Sequence, residues 1–103
     1  MPTLHTVNKS PFEKTALAAC LAHATAGSAV LLFEDGIYGA LRGSAVADTV
    51  AAALQSVKVF ALEPDVRARG FAPDRLIEGI EIVADYAGFV DLATEYSKVQ
   101  AWL

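Results

Sequence analysis

The run Ala29-Val30-Leu31-Leu32-Phe33 is apolar at every position. A strand with one face in water alternates apolar and polar residues, so an unbroken run of this kind belongs to a strand covered on both faces, as in a parallel sheet. Parallel neighbours need crossover connections, and helices must therefore come between the strands. The rest of the chain reads that way. Residues 4–7 form a β-prone run that stops at Asn8-Lys9-Ser10-Pro11, where Ser10 can cap a helix and Pro11 suits its first turn. A helix is expected over residues 12–25, with Leu17, Leu21 and Ala24 as its apolar stripe and Gly27 in its stop. Glu34-Asp35-Gly36 reads as a turn, followed by a helix over residues 44–55 and a third strand over residues 58–62. Glu63-Pro64-Asp65 closes that strand ahead of a short helix over residues 65–69. A fourth strand over residues 80–83, a helix over residues 85–96 and an edge strand over residues 99–103 complete the pattern. The expected fold is α/β, a small parallel-sheet sandwich with helices on both faces and flavodoxin-like layering, forming a single domain over residues 1–103.

A chain of 103 residues can build one core. Its 54% hydrophobic content and mean hydropathy of +0.40 exceed what that core needs, and a protein interface is the expected place for the surplus. A membrane is not expected, because Glu34, Asp35, Arg42 and Asp48 interrupt the richest region. The first eleven residues lack the apolar core of a secretory signal, which points to the cytoplasm. One cysteine and two histidines offer neither an internal disulfide nor zinc-ligand spacing. The glycines fit no phosphate-binding loop, so no metal or cofactor is expected. The net charge of -4 argues against direct nucleic-acid binding; Arg67, Arg69 and Arg75, near a turn, could form a local basic patch, although arginines so placed are more commonly just solvated.

Open parallel sheets place their sites beyond the carboxyl ends of the strands, here the loops after Val7, Phe33, Leu62 and Val83. Glu34 and Asp35 can be paired carboxylates, although acidic residues at such a turn more commonly serve solvation. Ser10, Ser44, His5 and His23 form no recognisable triad. Cys20, the sole thiol, is the residue through which covalent chemistry would run. A lone cysteine is either a small buried hydrophobe or a reactive thiol, and its mid-helix position takes no help from the N-terminal dipole. His23 lies three residues on and can share its face. The face through Ala16, Cys20 and His23 is offset from the leucine stripe, which would turn Cys20 toward a partner.

Five segments occur in order along nearly the whole chain: Leu4-His-Thr-Val-Asn-Lys-Ser-Pro11, Glu34-Asp-Gly-Ile-Tyr38, Ala61-Leu-Glu-Pro-Asp-Val-Arg-Ala-Arg-Gly70, Asp85-Tyr-Ala-Gly-Phe-Val-Asp-Leu92 and Val99-Gln-Ala-Trp102. Together they resemble the DsrH/TusB family of sulfur-relay subunits. The resemblance implies a cytoplasmic hetero-hexamer with DsrE/TusD-like and DsrF/TusC-like sister subunits. Such a sulfurtransferase complex relays persulfide sulfur to a DsrC/TusE-like carrier, with its principal acceptor thiol on the DsrE or TusD type of subunit. DsrH-type chains carry a cysteine in the first helix and TusB-type chains generally lack it, so Cys20 points to the DsrH side and to oxidative sulfur metabolism. On that reading Cys20 is a candidate persulfide acceptor. The alternative is a TusB-like structural subunit of a relay serving tRNA 2-thiouridine synthesis. A thiolate attacking a persulfide exchanges sulfur as in thiol–disulfide exchange and needs access more than a base.

Overall fold

The computed structural model describes residues 2–103. Five strands, β1 (Thr3–Val7), β2 (Ala29–Leu32), β3 (Lys58–Leu62), β4 (Glu81–Val83) and β5 (Lys98–Trp102), form one sheet in the order β4-β3-β2-β1-β5. Every neighbouring pair is parallel, as the apolar run in β2 requires. Helices α1 (Ala16–His23), α2 (Ala47–Ala53), α3 (Glu63–Ala68) and α4 (Tyr86–Thr94) connect them, with 3-10 helices at Glu34–Ala40 and Pro73–Arg75.

All of β2 is buried, and its alternate residues feed two cores. Val30 and Leu32 join Val7, Val59 and Ala61 under α1 and α2, where Leu17, Cys20 and Val50 close the layer. Ala29 and Leu31 join Leu4, Leu62 and Val83 on the opposite face, closed by Leu92 of α4. Each fully buried Leu or Val contributes about 1.5–3 kcal/mol relative to exposure, so the two layers together supply the main driving force of folding.

The helix boundaries differ from expectation for local reasons. Residues 12–15 do not continue into α1. Ser10 Oγ accepts the Phe12 N–H at 3.2 Å, while the Ser10 carbonyl accepts N–H groups from Glu13 and Lys14, which closes an isolated turn. Helix α1 then begins after Thr15, whose side chain caps nothing. Glu34-Asp35-Gly36 opens a seven-residue 3-10 helix rather than a simple turn. Helix α2 begins at Ala47 rather than residue 44 because Val46, at φ -101° and ψ 1°, is not helical, and it ends at Ala53. Helix α3 starts earlier than expected, with Pro64 in its first turn. Gly88 does not interrupt α4. Its N–H donates to the Asp85 carboxylate at 2.8 Å, making Asp85 the N-cap.

Candidate functional site

The carboxyl ends of the strands form a rim in which residues from successive crossovers meet. Asn8, after β1, donates Nδ2–H to Glu34 Oε1 at 3.1 Å. Glu34, after β2, donates its backbone N–H to Asp65 Oδ2 at 2.7 Å, and Tyr86, after β4, donates its hydroxyl to Asp65 Oδ1 at 3.3 Å. Asp65 is buried at the start of α3, so its carboxylate meets these donors largely out of water. Its charge raises the Tyr86 phenol above the ordinary value of 10.0, with smaller contributions from desolvation and the hydrogen bond itself.

Backbone conformation sets this geometry. Glu34 has a φ of +48°, an uncommon conformation for a residue with a side chain, and it directs its N–H at Asp65. Two residues on, Gly36 packs so closely on β1 that a Cβ there would collide with the Val7 carbonyl oxygen. Asp35 pairs with Arg69, whose Nε and Nη2 lie 3.0 and 2.9 Å from Oδ1, and Arg69 Nη1 also reaches the Asp65 carbonyl. Arg67 pairs with Glu63, and Arg75 lies over the Phe71 ring. The three arginines are thus engaged separately rather than gathered as one basic patch. Glu34 and Asp35 likewise meet different partners instead of each other. The rim fastens four crossovers together. Sequence reasoning located the loops but missed Asn8, Asp65, Arg69 and Tyr86; the acidic Glu63-Pro64-Asp65 segment at a strand end was the one available signal.

Cys20 lies elsewhere, on α1 beneath the sheet. Its exposure is 0%, and burial pushes the thiol up to about 12. The expected outward orientation is corrected. Helix α1 meets the sheet through Ala16, Leu17 and Cys20, whose small members at Ala16 and Cys20 permit close approach, while Leu21 is only half-buried. The expected Cys20–His23 pairing is also replaced by other contacts. His23 donates Nδ1–H to the Ala19 carbonyl at 2.8 Å, and its ring centroid lies 5.7 Å from that of Trp102. Trp102 donates Nε1–H to His5 Nδ1 at 3.0 Å, joining α1, β1 and β5. Burial, and secondarily the charge of Lys98, lowers the His5 pKa below 6.5. Among the described residues, no group of three or more His, Cys, Asp and Glu side chains is placed to hold a metal ion. No described helix is long and apolar enough to cross a membrane.

Comparison with known proteins bears on both fold and family. A family model described as DsrH like protein matches residues 9–99. Protein TusB of Shigella flexneri is 36% identical over 99 residues, covering 96% of this chain and 99% of that relative. Protein TusB of Escherichia coli O1:K1 / APEC is also 36% identical with the same coverage. Among solved structures, the ychN protein of E. coli superposes with a TM-score of 0.76 at 18% identity, covering 98% of this chain and 99% of that one. A protein of unknown function from Methanobacterium thermoautotrophicum gives 0.74 at 18% identity, covering 96% and 97%. At these identities the two structures establish the fold alone.

Proposed function

Because the chain belongs to the DsrH/TusB family, we propose that it is a structural subunit of a sulfur relay, shaping the assembly while a sister subunit holds the reacting thiol. The observation that carries this reading is the state of Cys20. At 0% exposure, and with its thiol pushed up to about 12, Cys20 has neither the access nor the thiolate population that attack on a persulfide needs. The relatives at 36% identity bear the TusB name, which favours a relay serving tRNA thiolation over the oxidative role suggested by the presence of Cys20. Partners of the TusC and TusD types, and a TusE-like carrier, follow from the same reading. Exposed apolar side chains at Tyr86 and Val90 of α4, and at Val99 and Leu103 around β5, supply surface for such an assembly.

The acceptor reading of Cys20 remains distinct and testable, since it requires α1 to lift the thiol out of the core. In the reconstituted complex, Cys20→Ala is expected to keep sulfur delivery to the carrier within about twofold of the unmodified rate, at a stability cost of about 1 kcal/mol for the lost core atom. A loss of tenfold or more, with the complex intact, would establish Cys20 as a transfer residue.

A further inference from the structure

Strand β5 lies at the edge of the sheet, paired with β1 on one side and open on the other. Its side chains add little to either core. Lys98, Val99 and Ala101 are exposed, and among the described residues Trp102 is the one member of β5 packed against a core. Among those residues, two side-chain hydrogen bonds tie residues 97–102 to the rest of the chain, one at each end. Ser97 donates Oγ–H to the Pro2 carbonyl at 2.9 Å, and Trp102 donates Nε1–H to His5 Nδ1 at 3.0 Å. Beyond the backbone ladder, the carboxyl half of β5 is therefore held by one indole and one imidazole.

That hydrogen bond exists in one protonation state of His5. A charged imidazole is a donor at both nitrogens, so protonated Nδ1 would set N–H against N–H. The surroundings offer the cation no relief. In the sheet, β2 places Val30 opposite His5, while β5 places Gln100 opposite it and adds the positive charge of Lys98. His5 shares its face of β1 with Val7, the face that α1 covers. Helix α1 brings Cys20, kept neutral by a thiol pushed up to about 12, and His23, whose ring centroid lies 5.7 Å from that of Trp102. Among the described residues, no carboxylate forms an ion pair with His5. Burial, and secondarily Lys98, lowers the His5 pKa in the closed sheet, whereas a freed His5 returns to the ordinary 6.5. As pH falls below that value, protons bind the opened form first.

We propose that His5 and Trp102 form a proton-operated latch: neutral His5 holds the carboxyl half of β5 on the sheet, and protonation of Nδ1 releases it. Ser97 keeps the amino end attached, so the strand peels back from Trp102 while β2 and β3 stay paired inside the sheet. Peeling turns β1 from an interior strand into a free edge, with its backbone N–H and C=O groups unpaired. The latch thus acts locally, ahead of global unfolding.

The test is residue-level hydrogen exchange of the full chain by NMR at about pH 7.5 and about pH 5, corrected for intrinsic exchange, together with the imidazole nitrogen shifts of His5. Protection over residues 98–102 is expected to fall about tenfold or more, while the amides of β2 and β3 hold within about twofold. Nδ1 is expected to gain its proton over the pH range in which β5 loses protection. His5→Gln, which keeps an acceptor for the indole but cannot charge, is expected to abolish the fall, and His23→Gln to retain it. Circular dichroism establishes that each variant folds; if His5→Gln does not, the titration of the unmodified chain decides alone. Three results overturn the latch: β5 unprotected already at about pH 7.5, Nδ1 protonated with β5 still protected, or β5 opening only together with β2 and β3. A fall of equal size in folded His5→Gln overturns it as well.

Discussion

His5 receives the indole N–H of Trp102 on Nδ1, so its neutral ring carries the proton on Nε2. Protonating Nδ1 would set one donor against another and charge a ring that is 7% exposed. The folded chain therefore binds fewer protons at this position than the unfolded chain does in the window below pH 6.5. Stability contributed here is complete above that value and is lost as pH falls toward the lowered folded-state pKa. The thermal midpoint should drop between about pH 8 and pH 5, and the emission of Trp102, the sole tryptophan, should change with it. His5→Gln keeps an acceptor for the indole but cannot charge, so its midpoint should fall less over the same range. Equal falls in both chains would remove His5 from the pH dependence.

At the scale of elements, the 3-10 helix after β2 depends on Gly36 lying against the backbone of β1. Gly36→Ala puts a methyl group into the Val7 carbonyl and should cost about 1–3 kcal/mol in urea denaturation. An unchanged midpoint would mean that the segment relaxes without loosening the rim. Strand β2 was legible in the sequence because burial on both faces leaves a uniform apolar run, a signal that needs no knowledge of its neighbours. The start of α1 was not, because Ser10 ties off a competing turn with its own hydroxyl and carbonyl. The rim was legible only as a set of loops. Its bonds join residues separated by 26, 31 and 21 positions, and their meeting depends on a strand order that local pattern does not encode.

For the whole molecule, one sheet divides the interior into two cores, and the sole thiol is committed to one of them. The orientation of Cys20 was misread from sequence because hydrophobicity marks Leu17, Leu21 and Ala24 as the inner stripe. The sheet instead takes Ala16, Leu17 and Cys20, leaving Leu21 to wall a slot beside α2. The family was legible from segments spread along the chain, whereas the presence of a cysteine in the first helix carried no information about its access. A subunit with a buried thiol and apolar residues exposed on α4 and β5 is suited to holding an assembly together while another subunit's thiol reacts. The most direct measurement is mass spectrometry of the reconstituted complex after incubation with a persulfide donor. An added sulfur atom is expected on a sister subunit's cysteine and none on the Cys20 peptide; stoichiometric addition to Cys20 in the folded complex would overturn the structural role proposed for this chain.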